Sequence, residues 1–221
     1  MERKPRKPTK YDAHIYLWTS SHGCDHRWLP DEMDKVFKYS DFDNPDIPQS
    51  PEIIPESGLK ISHDLVHLIT NKAISTFPRP QIHFVLLGDN NLRPNRDGAE
   101  ECVDTLKYFE QLVKNFSNFS NCRLVICSII PCPLTDYRSR QKFQEMNQLL
   151  KNLAKTEESR VTFLNFNNYF LFEGNIRTIV EVEGRQGYLF NRDGIHLSRL
   201  GARLLSLRLL EFLRLLPLLF H

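Results

Sequence analysis

Apolar runs alternate with amphipathic stretches along most of the chain. Residues 13–18 (AHIYLW) are rich in aromatic and aliphatic side chains and predict a strand buried on both faces. That run stops at Thr19-Ser20-Ser21-His22-Gly23, small and polar residues suited to a tight turn. Residues 81–87 form the clearest strand pattern and end abruptly at Gly88-Asp89-Asn90-Asn91. Further strands are predicted at 122–130 and 161–166.

Helical periodicity fills the gaps. A helix is expected from Ser62, with Ile61, Leu65, Leu68 and Ile69 on one face and a stop near Pro78 and Pro80. A second, over 99–116, places Val103, Leu106, Phe109, Leu112 and Val113 in register, and a polar helix follows over 139–154. Ser198 is a suitable N-cap for a last helix striped by Leu200, Leu204, Leu207 and Leu210. Residues 24–56 are acidic and proline-rich and read as mainly loop, with a short helix around 32–39 and a brief strand at Ile53-Ile54. Strands alternating with helices of this length require crossovers. They predict an α/β fold, a three-layer α/β/α sandwich around a mainly parallel sheet of flavodoxin-like type. In such sheets, sites assemble from the loops at the carboxyl ends of the strands. The chain divides into a basic, extended tail (1–12) and a single domain (13–221), with no internal repeat.

Composition narrows the function classes. A formal net charge of +2 gives no field for nucleic acid or an anionic membrane, apart from the basic tail, which reads as solvated. Five cysteines (24, 102, 122, 127 and 132) leave one unpaired in any disulfide scheme, and none has zinc-ligand spacing. With no signal-peptide pattern seen, a reducing, intracellular setting is expected, which empties the sequons at Asn115 and Asn118 of meaning. The apolar C-terminal run is broken by Arg208, Glu211, Arg214 and Pro217, so it reads as a core-facing helix and not a membrane span.

Chemistry is concentrated in the strand-end loops. Asp193-Gly-Ile-His196 puts a carboxylate on the same short loop as an imidazole, where it can fix the tautomer and stabilise the imidazolium. The same residues also make an ordinary Asp-Gly turn. Ser20 and Ser21 follow the first strand, and a serine becomes a useful nucleophile only with a base, for which His196 is the candidate; serines there also serve simply to bond the turn. Gly88 and Asn90 could supply an oxyanion donor beside a closely approachable backbone, and Gly58 a backbone N–H at the start of a helix.

Taken in order, a serine after strand one, a glycine before the next helix, Gly-x-Asn after a central strand and Asp-x-x-His before the last helix resemble the SGNH hydrolase (GDSL-like esterase) superfamily, over about 13–216. That resemblance implies the three-layer fold, with Ser21 as nucleophile, His196 as general base and Asp193 as its orienting carboxylate. The oxyanion donors would be the Ser21 and Gly58 N–H groups and the Asn90 side chain. A small ester would be the substrate, and no metal or organic cofactor is required. The segments around Gly58 and Gly88 are also similar to SGNH-like domains encoded in invertebrate genomes, some within retrotransposon reading frames.

Two positions depart from the family pattern. Thr19-Ser20-Ser21 stands where the family has Gly-Asp-Ser, removing a flexible backbone point and a bracing carboxylate, and Ser20 becomes a fallback nucleophile if the turn is shifted. Asn91 replaces an aspartate. Two functions therefore follow: a serine esterase or acyl hydrolase, or an inactive SGNH-like domain (a pseudoenzyme) kept as a binding or scaffolding module. Remaining features read as structural. His63 and His67 lack a third metal ligand; Phe163, Phe166, Tyr169, Phe170 and Phe172 read as core; Arg93 and Arg96 read as solvated loop residues.

Overall fold

The computed structural model describes residues 13–20, 28–39, 50–56, 59–76, 78–94, 99–156 and 160–216. Their elements run β1 (His14–Ser20), α1 (Trp28–Tyr39), β2 (Glu52–Glu56), α2 (His63–Thr76), β3 (Gln81–Leu86), α3 (Asp89–Leu92), α4 (Cys102–Phe116), β4 (Cys122–Cys127), α5 (Tyr137–Thr156) and β5 (Val161–Leu164). After α6 (Asn167–Phe170) come two small antiparallel hairpins, β6 (Leu171–Phe172) with β7 (Asn175–Ile176) and β8 (Ile179–Val182) with β9 (Arg185–Tyr188). The helix α7 (Arg199–Leu215) is the last described element.

Strands β2-β1-β3-β4-β5 form one sheet in that order, and every pairing in it is parallel. Because side chains alternate across a strand, each sheet face builds its own core. Ile15, Leu17, Phe84 and Val125 pack against α1 and α7 on one face. Tyr16, Trp18, Val85, Leu124 and Ile126 pack against α2, α4 and α5 on the other. The result is the expected three-layer α/β/α sandwich. Burial of β1 and β3 on both faces explains why they read as continuous apolar runs rather than alternating ones.

Several local expectations are adjusted. On α2, Val66 is buried and Leu68 is half exposed, and on α4 Val103 points outward. Residues 32–39 belong to a full twelve-residue helix that starts at Trp28. The aromatic set divides: Phe166 and Phe170 are fully enclosed, whereas Phe172 is exposed beneath the Arg177 guanidinium. The four described cysteines, at 102, 122, 127 and 132, are buried thiols. Burial pushes the thiol pKa up to about 11 at Cys102, to about 12 at Cys122, and higher still at Cys127.

Candidate active site

The strand order reverses between β1 and β3, and the crevice outside the carboxyl ends at such a switch point is where open α/β sheets take their ligands. β1 ends there at Ser20, and β3 runs out into Gly88. Gly88 has φ +107°, and a Cβ at this position would lie 3.0 Å from Ile129 Cδ1. Only glycine takes that backbone without strain. The turn it permits delivers Asp89, Asn90 and Asn91 on the short helix α3, all three buried.

Each of these side chains ties down a different piece of chain. Asp89 Oδ1 accepts the Ser20 hydroxyl at 2.8 Å, bridging β1 and β3 across the switch point. Asn90 Nδ2 donates to the Leu59 carbonyl at 3.1 Å. Asn91 bonds both polar groups of Ile61: its Oδ1 accepts the Ile61 N–H at 2.9 Å and its Nδ2 donates to the Ile61 carbonyl at 2.9 Å. The same Nδ2 donates to Glu100 Oε2 at 2.9 Å. Segment 59–61 is thereby moored to the exit of β3. An asparagine amide has two N–H donors, so the bond to Leu59 leaves Asn90 a second for a ligand oxygen.

The loop before α7 holds the other half. Phe190 bridges to Leu197, the Asn191 N–H donates to the His196 carbonyl at 2.8 Å, and Gly194 closes the turn at φ +66°. Asp193 Oδ1 accepts the N–H groups of Ile195 at 2.8 Å and His196 at 3.0 Å. Its Oδ2 receives the His196 Nδ1–H at 2.8 Å. Partial burial pushes the Asp193 carboxyl up, but the His196 ring and the two backbone donors outweigh it and hold the group below its ordinary range. A carboxylate can only accept, so Nδ1 carries the proton and the Nε2 lone pair is the basic one. Ser198 caps α7 as expected, accepting the Gly201 N–H at 3.1 Å.

The exit loop of β4 connects the two halves. Ile129 packs on Gly88, Ile130 and Ser20 share a small cavity, and the Leu134 N–H donates to the Gly194 carbonyl at 3.3 Å. Asn147, on α5, fixes this loop by accepting the Ile129 N–H at 2.7 Å and donating to the Ile129 carbonyl at 3.0 Å. Asn147 and Asp89 carry no motif, and their roles show only in the folded chain. Arg93 is a half-buried brace and not a solvated residue, donating to Cys132 Sγ at 3.2 Å.

Of the residues singled out in the sequence, Ser20, Asn90, Asp193 and His196 lie at these strand and loop ends, while Ser21, Gly58 and Arg96 lie outside the described residues. Ser20 is 2% exposed, its hydroxyl committed to Asp89. His63 and His67 approach to 3.1 Å between their Nε2 atoms, yet no group of three or more metal-ligating side chains occurs among the described residues. Among those residues, too, no helix is long and apolar enough to cross a membrane.

No protein-family profile and no curated protein matches the sequence. Solved structures do. A member of the lipolytic protein G-D-S-L family from Veillonella parvula superposes with a TM-score of 0.62 at 16% identity, covering 90% of this chain and 97% of its own. A GDSL-like lipase from Bacteroides thetaiotaomicron gives 0.54 at 13% identity, covering 95% and 92%. A carbohydrate esterase family 3 protein from Talaromyces cellulolyticus gives 0.57 at 13% identity, covering 93% and 100%. At such identities the likeness is one of architecture, and this chain has the three-layer α/β/α fold of the GDSL-like, SGNH-type hydrolases.

Proposed function

We propose that the protein is a serine esterase or acyl hydrolase of the SGNH kind. The observation that carries this reading is the Asp193–His196 pair. The carboxylate is held by two backbone N–H groups and itself holds Nδ1–H of the imidazole, which leaves Nε2 as the basic atom. The fold shared with esterases and lipases supports it. In this reading Ser21 Oγ attacks an ester carbonyl while His196 Nε2 takes its proton. The resulting oxyanion is received by the second Asn90 N–H and by the Ser21 and Gly58 backbone N–H groups. Collapse expels the alcohol, which leaves with the proton from His196. Water, activated by the same imidazole, then hydrolyses the acyl-enzyme. Ser20 is set aside as nucleophile because its hydroxyl is buried and donates to Asp89. No step requires a metal or an organic cofactor.

Purified protein should hydrolyse a short-chain nitrophenyl ester, and Ser21→Ala and His196→Ala should each reduce turnover at least about a thousandfold. Ser20→Ala should keep turnover well above those two variants while lowering stability, because its hydroxyl anchors β1 through Asp89 and is not the nucleophile. Turnover no faster than buffer, or unchanged in both of the first two variants, would favour the alternative of a non-catalytic binding module. The Thr19-Ser20-Ser21 block is the feature that speaks for that alternative.

A further inference from the structure

A second, chemically distinct cavity of about 550 Å³ opens between α1, the β8–β9 hairpin and the first turns of α7. Its charged lining is Glu32 and Lys35 from α1, Glu183 and Arg185 from the hairpin, and Arg199 and Arg203 from α7. Four cationic heads thus face two carboxylates. Glu32 is the organiser. Its buried carboxylate takes Arg199 Nε at 2.8 Å, Lys35 Nζ at 3.2 Å and Arg203 Nη1 at 3.5 Å. One anion therefore orders three cations and neutralises only one. Glu183 engages Arg203 alone, through Nε at 2.9 Å and Nη2 at 3.1 Å.

The remaining donors are uncommitted. Arg199 gives only its Nε to Glu32 and is 60% exposed, with its guanidinium resting 5.6 Å from the Trp28 ring centroid. Arg185 makes no side-chain hydrogen bond or ion pair among the described residues. An arginine fork matches the oxygens of phosphate or carboxylate, and cations converging from three separate elements suit a tetrahedral group better than a planar one. The excess of two positive charges matches a dianion.

We propose that this groove binds a phosphate-bearing ligand, its anionic oxygens received by Arg185, Arg199 and Lys35 while Glu32 holds two of these cations in place. Neither Asp193 nor His196 lines this groove, and its occupancy is read without turnover.

The test is calorimetry of the full chain with pyrophosphate and inorganic phosphate at low ionic strength, alongside flotation with phosphatidic acid or phosphatidylcholine vesicles. Saturable binding of free phosphates, or of phosphatidic acid vesicles only, is expected, and the pattern identifies the source of the group. Arg185→Gln should weaken that binding about tenfold, the scale of one charge-assisted hydrogen bond, with an unchanged unfolding temperature. Lys35→Gln serves as the second variant, because it removes the longer of these two contacts to Glu32, whereas truncating Arg199 would strip the shortest one from that buried carboxylate. No binding to either source, or affinity unchanged in both variants, overturns the proposal. Ser21→Ala should bind like the parent, so a failed esterase assay leaves this result standing.

Discussion

Replacing His83 by glutamine removes the buried imidazole from the centre of the sheet. The ring is fully enclosed on β3, with Tyr16 and Trp18 of β1 and Phe116 of α4 around it. Trp18 Nε1–H donates to its Nδ1 at 3.2 Å, so the proton sits on Nε2 and is given to Gln81 Oε1 at 2.9 Å. Gln81 passes the chain on, donating from Nε2 to the Ala73 carbonyl at 2.9 Å. Every polar atom of the neutral ring is satisfied, and a second proton would have to displace the Trp18 donor. Burial, reinforced by the positive charge of Lys72, accordingly lowers the His83 pKa from 6.5 to about 3.

The folded protein thus refuses a proton that the unfolded chain accepts. Stability is intact above pH 6.5 and is lost as pH falls toward 3. Each pH unit below 6.5 costs about 1.4 kcal/mol, so the loss is about 2 kcal/mol at pH 5. The carboxyls held low, at Glu32, Asp34, Asp136 and Asp193, stabilise the fold above their ordinary range and lose that contribution only as pH falls below it, which leaves the pH 5–6.5 window to His83 among the groups with displaced pKa values. Urea unfolding followed by circular dichroism at pH 7.5 and 5.0 measures the difference. The parent should lose about 2 kcal/mol between the two. His83→Gln keeps an Nε2-like donor for Gln81 but strands the Trp18 N–H, costing about 1–3 kcal/mol at both pH values, and its stability should be nearly flat across that window. A variant that falls as steeply as the parent would refute the assignment of the acid sensitivity to His83.

Two substitutions test the scaffold of the site. Asn91→Asp restores the residue type of the family pattern, yet here it should destabilise by about 3 kcal/mol or more. It would turn a carboxylate toward the Ile61 carbonyl and Glu100 in place of the N–H donor both now receive; stability within 0.5 kcal/mol of the parent, a scale at which surface changes fall, would refute that role. Gly201→Ala on α7 would set a Cβ 2.2 Å from the Leu189 carbonyl oxygen. The helix must then move away from the strand end that carries the His196 loop, with an expected loss of about 2–3 kcal/mol and a lower unfolding temperature.

The architecture was legible because β1, β3 and β4 are buried on both faces and so appear as uninterrupted apolar runs, and because the glycine at 88 and the cap at 198 mark real boundaries. The hairpins between α6 and α7 were not. β6 and β7 have two residues each, β8 and β9 four, and their turns place Glu173 and Glu183 at positive φ, where pattern reading expects glycine or asparagine. Asp193 and His196 announced themselves by spacing, since their bond is local. The clamps of Asn91 on Ile61 and of Asn147 on Ile129 span thirty and eighteen residues, and no local pattern encodes a partner at that distance.

The Ser20–Asp89 bond changes what the altered serine block means. In the family pattern a carboxylate precedes the nucleophile, and its absence from Thr19-Ser20-Ser21 reads as a missing brace. In the folded chain the carboxylate is present, but beyond the end of the neighbouring strand: Asp89, delivered on α3 by the Gly88 turn, receives the Ser20 hydroxyl across the switch point. A hydroxyl donating to a carboxylate makes a charge-assisted bond, here at the ordinary O–H···O distance of 2.8 Å. Both partners are more than nine-tenths buried, so water competes little for either. The end of β1 is therefore anchored from α3 immediately before residue 21. That bond gives Ser20 a structural role, and it makes Ser21 the hydroxyl on which the esterase reading depends.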